Sequence, residues 1–422
     1  MFAKTLQRML KAPINKVHIK PLQIALQKRR ISAQSTENGK IVIVRSSSDK
    51  DLPYQPMKFP AVWLRDNCGC AECFHQSSQS RRINWDHFDT QVKVQEIETD
   101  NVSKQLKIKW SDQHTSSYDL QWLQGRDFSA SRRQEYLDGF YRPKTLHWRG
   151  ADFNKITETF NFNDVMQNDE SLKSWLEALA VRGIAIIKDS PIDKGVVRQL
   201  ADRVGFIRKT TYGEEFIVQS KPGAKNYAYL SDPLPLHTDL PYYEYKPSVN
   251  ILHCMVQSLL AGGDNLLVDA FYVADRLRVE QPEDYRILTQ TLVDWNDIGS
   301  EDGKSFHNIW RAPVICLDGN GCYTRINHSI PQRDSHFSVP LEEVLPWYEA
   351  YAKLVRLARE ESHAFKTKPG DVLTFNNIRL LHGRTGYDDT EHNVRYIVGA
   401  YLDWDIIYSK LRVLKTAESS TQ

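Results

Sequence analysis

Four side chains in the second half of the chain have types and spacing suited to chemistry: His237 and Asp239, then His382 and Arg395. Two imidazoles and one carboxylate can occupy one face of a metal ion and leave the opposite face open, the facial triad of non-haem Fe(II) oxygenases. His382 stands in Leu381-His382-Gly383-Arg384, after the turn Pro369-Gly370-Asp371 and the apolar run Val372-Leu373-Thr374-Phe375, so it is expected at a strand's exit. Arg395 opens a second apolar strand that ends at Tyr401. A guanidinium fork matches a carboxylate bidentately, so Arg395 is expected to hold the distal carboxylate of a 2-oxoacid co-substrate. A second His-x-Asp, His87-Phe88-Asp89, has no such strand, histidine and arginine downstream within its own domain. It is set aside.

The cysteines suggest a different metal. Of six, Cys68, Cys70 and Cys73 crowd one stretch, while Cys254, Cys316 and Cys322 scatter. Three thiolates at that spacing can wrap one zinc ion, and a ligand from a distant hairpin closes the tetrahedron. His114, in the turn Ser111-Asp112-Gln113-His114, is the expected fourth ligand, with His75 the sterically poorer local choice. A closed four-ligand site is structural and belongs to a reducing compartment rather than to a disulfide framework. Three free core cysteines are the alternative.

Elements must carry these groups. A chain of 422 residues is long enough for two domains with real cores. A net charge of +2 creates no long-range field directed at nucleic acid or a membrane surface. No apolar run approaches the ~18 residues of a membrane span. Residues 1–36 are basic and hold no Asp or Glu, with Leu6, Met9, Leu10, Leu22, Ile24 and Leu26 interleaved. That composition predicts a mitochondrial targeting segment, a disordered basic tail on a cytoplasmic protein being the alternative. Short strands at Ile41–Val44, Val92–Ile97, Leu106–Trp110 and Ser116–Leu120 predict a zinc-binding, β-rich domain over residues 37–130. Helices are expected at Leu172–Val181, stopped by Gly183, at Val196–Val204, Pro282–Thr291 and Val344–Arg359. Strands at Ile184–Ile187, Val249–Leu252, Cys322–Asn327, Phe365–Thr367, Val372–Phe375 and Arg395–Leu402 complete the rest. Many short strands framing an iron triad predict a mainly β oxygenase domain over residues 150–415: a double-stranded β-helix (jelly roll) with flanking helices.

Four stretches stand out: Trp63-Leu64-Arg65-Asp66 with the cysteine cluster, His237-Thr238-Asp239, Ile378 to Arg384, and Gly399-Ala400-Tyr401-Leu402-Asp403-Trp404-Asp405. Together they resemble the gamma-butyrobetaine and trimethyllysine dioxygenase family. The resemblance implies hydroxylation of gamma-butyrobetaine to L-carnitine with Fe(II) and 2-oxoglutarate, ascorbate serving as reductant, beside a structural zinc. It implies iron on His237, Asp239 and His382, and 2-oxoglutarate on Arg395, with Asn265 where relatives more often have Ser or Thr. It also implies a quaternary-ammonium cage of Tyr212, Phe216, Tyr229 and Tyr401, a substrate carboxylate on Asn226, and a second pocket amide at Asn327. Aromatic faces suit a trimethylammonium group because it has no N–H to donate; core packing is the other reading of that aromatic set. His328 and Ser329 depart from the family pattern. No side-chain acid or base is required, so positioning carries selectivity. Trimethyllysine hydroxylation is the nearer rival, though its α-ammonium suits a carboxylate better than the neutral Asn226. A catalytically inactive binding protein is the rival from another class. The partner implied is a small quaternary-ammonium molecule, with neither nucleic acid nor membrane, and a homodimer is left open.

Overall fold

The computed structural model describes residues 30–47, 55–220, 230–301, 303–390 and 392–421. The chain divides into two units, one up to Tyr136 and one from Leu137.

In the N-terminal unit, alternation of apolar and polar residues builds two three-stranded antiparallel sheets. One joins Arg30–Ser35, Ile41–Ser47 and Met57–Pro60; the other joins Val94–Asp100, Gln105–Trp110 and Thr115–Asp119. Val42, Val44, Phe59, Leu106, Ile108 and Trp110 point inward on the period of two and share one core with Leu64 and Tyr118. Each such fully buried side chain contributes roughly 1.5–3 kcal/mol. Arg30–Ser35 pairs with Ile41–Ser47, and Ile31 is in the core, so the end of the basic stretch is sheet; residues 1–29 lie outside the described residues.

The second unit contains two sheets. The larger runs in the order Glu215–Val218, Tyr396–Leu402, Val249–Val256, Val372–Asn376, Ile184–Lys188, Glu158–Asn161, and all its pairs are antiparallel except the last. The smaller runs Leu234–His237, Leu380–Arg384, Asn265–Asp269, His363–Phe365. Ile184, Ile186, Leu373 and Phe375 of the larger sheet pack with Leu267 and Leu380 of the smaller, so the two face each other as a jelly roll does. Helices Asp169–Arg182, Val196–Val204 and Trp404–Thr421 cover the outer face of the larger sheet through Trp175, Leu179, Leu200, Ile407 and Leu411. Asn168 caps the first of these by accepting from the backbone N–H of Glu170 and Ser171, a cap that stabilises by about 1 kcal/mol. Helices Ala270–Glu280, Pro282–Gln290 and Leu341–Glu360 form a second core around Trp295 and Trp347. Buried Arg379 pins the structure between them: it pairs with Asp269 at 2.6 Å and donates to the carbonyls of Val181 and Leu146.

Elements not expected from sequence include the hairpin Val293–Glu301/Lys304–Ala312 and the helix Trp404–Thr421. His382 is also placed differently. It lies in the middle of its own strand, Leu380–Arg384, because the chain turns tightly after Asn376 and re-enters the smaller sheet.

Candidate active site and metal centres

His237 and His382 stand directly opposite each other on neighbouring antiparallel strands. Gly383 permits that approach, since a Cβ there would lie 2.7 Å from the carbonyl oxygen of Leu234. The imidazole centroids are 4.2 Å apart. Asp239 follows the strand, and Leu240 turns the chain with a left-handed φ of 53°. That conformation costs about 1 kcal/mol for a residue with a Cβ. It is held by Asn377, whose side chain accepts from the Asp239 N–H at 2.7 Å and donates to the Asp239 carbonyl at 3.1 Å. Asp239 Oδ1 lies 3.2 Å from His237 Nε2 and 3.5 Å from His382 Nε2. The three ligand atoms fall within 4.8 Å of one another, so one ion could be held by all three.

The surroundings prepare these groups as ligands. His237 Nδ1–H donates to the Pro235 carbonyl at 2.9 Å, which leaves the Nε2 lone pair facing Asp239. Asp239 Oδ2 accepts from Asn250 at 2.6 Å and from the Tyr401 hydroxyl at 3.0 Å, which reserves Oδ1 for metal. Burial pushes the Asp239 carboxyl up, but the His382 and His237 imidazoles outweigh it and hold it well below the usual carboxylate range. Burial, then His237, lowers His382, favouring the neutral ring a metal needs. Asn250 and Asn377 were not anticipated, because an asparagine in an apolar run carries no signal of its own.

A cavity of about 320 Å³ opens beside this cluster. One wall holds Arg395, 6% exposed, which donates to Asn265 Oδ1 at 3.2 Å while its Nε–H has no partner. Asn265 in turn donates to Thr367 Oγ1. Burial, then the charge of neighbouring Arg384, lowers the Arg395 guanidinium to about 10. A buried cation with no carboxylate partner among the described residues is a receptor for an anion. Tyr212, Phe216 and Tyr401 line the cavity, and Phe216 stacks on Tyr401 at 4.9 Å. Gly399 makes the Phe216 ring fit, since a Cβ there would come within 2.3 Å of it. Asn226 and Tyr229 lie outside the described residues.

Asn327 is fully buried, its amide donates to the Pro313 carbonyl and lies 3.4 Å from Cys316 Sγ, and Ser329, Pro331 and Gln332 line the cavity. His328 has a packing role: it exchanges backbone contacts with Thr238 and bonds the Tyr351 hydroxyl at 2.9 Å. Burial lowers it to about 3, so it stays neutral behind the ligand segment.

In the N-terminal unit, His114 Nε2 lies 3.3, 3.5 and 3.6 Å from the sulfurs of Cys68, Cys70 and Cys73. Tetrahedral zinc with Zn–N of ~2.0 Å and Zn–S of ~2.3 Å sets that edge at ~3.5 Å, so the four residues fit the ion. Cys68 and Cys73 are buried, and Arg65 links the cluster to the His114 turn by donating to Cys73 Sγ and pairing with Asp112 at 2.8 Å. Burial pushes the Cys73 thiol up to about 12 despite Arg65. His75 instead bonds Ser78 at 2.7 Å, and His87 and Asp89 are exposed outside any such cluster.

Comparison with known proteins places this geometry. Residues 145–401 match the family described as "Taurine catabolism dioxygenase TauD, TfdA family", and residues 37–124 match "Gamma-butyrobetaine hydroxylase-like, N-terminal". The chain is 37% identical to gamma-butyrobetaine dioxygenase of Homo sapiens, over 85% of this chain and 91% of that one. It is 32% identical to gamma-butyrobetaine dioxygenase of Pseudomonas sp. (strain AK-1), over 85% and 90%. Against mitochondrial trimethyllysine dioxygenase of Bos taurus the identity is 29%, over 85% and 83%. The chain belongs to the TauD/TfdA dioxygenases and, within them, to the gamma-butyrobetaine dioxygenase family.

Proposed function

We propose that this chain hydroxylates gamma-butyrobetaine to L-carnitine, with 2-oxoglutarate and O₂ as co-substrates. The observation that carries the reading is one cavity with three chemistries on its wall. It joins the His237, Asp239 and His382 cluster, the buried guanidinium of Arg395, which has no carboxylate partner among the described residues, and the aromatic faces of Tyr212, Phe216 and Tyr401. Higher identity to the gamma-butyrobetaine enzymes than to bovine trimethyllysine dioxygenase supports the choice of substrate.

Bound Fe(II) supplies the oxidising chemistry, in which O₂ and 2-oxoglutarate are consumed and succinate, CO₂ and a hydroxylated product leave. Everything else is positioning. His237, Asp239 and His382 hold the ion from one side, while Asn250 and Tyr401 fix the Asp239 carboxylate. Arg395, steadied by Asn265, grips the distal carboxylate of 2-oxoglutarate. Phe216, Tyr401 and Tyr212 present ring faces to the trimethylammonium group, and the family resemblance assigns Tyr229 to the cage and Asn226 to the substrate carboxylate. Holding both ends of the substrate would fix which carbon is presented for hydroxylation. Cys68, Cys70, Cys73 and His114 hold a structural zinc, and the basic segment directs the protein to mitochondria.

A substrate panel tests the reading. Butyrobetaine and trimethyllysine are assayed side by side, with succinate and hydroxylated product both measured. Higher kcat/KM for butyrobetaine supports it; faster turnover of trimethyllysine, or of neither, overturns it.

A further inference from the structure

Asp297 has no part in the machinery described so far, yet it lines the same cavity as Tyr212, Phe216 and Tyr401. It sits mid-strand in Val293–Glu301, opposite Asn308 of the returning strand. Its Oδ2 accepts from the Tyr212 hydroxyl at 2.6 Å. The Tyr212 ring meets the edge of Phe306, from the same hairpin, at a centroid distance of 5.7 Å, and its oxygen lies 3.5 Å from the Tyr242 hydroxyl. The hairpin therefore grips Tyr212 at its hydroxyl and on its ring. Asp294, three residues earlier, pairs with Arg311 at 2.9 Å, whereas Asp297 has no cationic partner among the described residues.

A carboxylate on a cavity wall without a counter-ion gives that wall a negative potential. Aromatic faces add to it through their quadrupoles. A hydroxyl donor can fix such a carboxylate without neutralising it. The natural occupant is a cation with no N–H, because a primary ammonium would compete with Tyr212 for the carboxylate oxygens, while a quaternary one is held by charge alone.

We propose that Asp297 is a specificity-determining residue. It supplies the counter-charge for the substrate's quaternary ammonium and, through the Tyr212 hydroxyl, positions that ring of the cage. This rests on the butyrobetaine reading above and adds a charge that aromatic stacking does not provide.

The test separates charge from shape. Wild type, Asp297→Asn and Asp297→Glu are compared on butyrobetaine and on the carbon isostere that lacks its cationic charge, 5,5-dimethylhexanoate. Asparagine keeps an acceptor for Tyr212 and loses only the charge. Asp297→Asn is expected to raise the KM for butyrobetaine roughly tenfold, the scale of one partly desolvated charge contact. Its KM for the isostere should stay near the wild-type value, so the preference for the cation falls by the same factor. Asp297→Glu keeps the charge and should keep most of the preference. Asp297→Ser is a second neutral variant in which the same loss is expected, and melting temperatures establish that each variant is folded. Equal changes in both KM values, or no change in either, overturn the assignment and leave the butyrobetaine reading intact. A wild type inert toward butyrobetaine overturns the functional reading and this assignment with it.

Discussion

Arg395→Met should move binding and stability in opposite directions. Arg395 is 6% exposed, has Asn265 as its one hydrogen-bond partner among the described residues, and keeps an unpartnered Nε–H. The fall of its pKa from 12.5 to about 10 expresses a penalty on the buried charged form of roughly 3 kcal/mol. Neutral pH lies below both values, so the folded protein carries that penalty in full. Methionine fills a similar volume and removes it, at the cost of the charged hydrogen bond to Asn265, about 1.5–3 kcal/mol. The melting temperature of the ligand-free protein should therefore stay level or rise by a few degrees, at about 2–4 °C per kcal/mol. Binding responds the other way. Truncating one partner of a buried, hydrogen-bonded charge pair costs about 2–5 kcal/mol, so the KM for 2-oxoglutarate should rise at least ~30-fold. The assay is succinate formation against 2-oxoglutarate concentration, with melting curves taken with and without the co-substrate. A KM within threefold of wild type would refute the reasoning. So would a ligand-free protein that melts well below wild type, because Arg395 would then be a structural residue.

Tyr401→Phe removes one of two donors to Asp239 Oδ2 but keeps the ring against Phe216. Anaerobic Fe(II) affinity by calorimetry should fall roughly tenfold, as for a lost outer contact to a ligand, while the butyrobetaine KM changes far less; unchanged metal affinity counts against the clamp. Purified protein should contain one tightly held zinc, reduced in Cys70→Ser, and loading the zinc-free form should release protons because burial keeps the Cys68 and Cys73 thiols protonated without it. Zinc absent from metal analysis would end that assignment. Residues 1–29 fused to a reporter should carry it into mitochondria, and a reporter that remains in the cytosol contradicts the targeting role.

What was legible in the sequence follows from how local each signal is. The Cys68, Cys70, Cys73 and His237-x-Asp239 clusters are nearly contiguous, and the helix Asp169–Arg182 announces itself by a capping asparagine, an apolar stripe and a closing glycine. Strand register is not local. Nothing near His382 states that it faces His237 rather than ending its strand; that depends on the pairing with Leu234–His237 and on the room made by Gly383. Asn250 and Asn377 gain their meaning only when the fold brings them to Asp239. The direction of the Asn327 side chain, whose amide bonds Pro313 and Cys316, is likewise set by the fold and not by its motif. The helix Trp404–Thr421 was readable, with Trp404, Ile407, Leu411 and Leu414 all buried at helical spacing.

Coupling of 2-oxoglutarate, O₂ and a quaternary-ammonium substrate at His237, Asp239 and His382 can be read by mass spectrometry of butyrobetaine turnover under ¹⁸O₂. Equal amounts of succinate and carnitine are expected, with one labelled oxygen in a succinate carboxylate and label from O₂ in the new hydroxyl, and neither product from His382→Ala. Succinate formed without hydroxylated butyrobetaine, or carnitine formed by the His382→Ala protein, would contradict it.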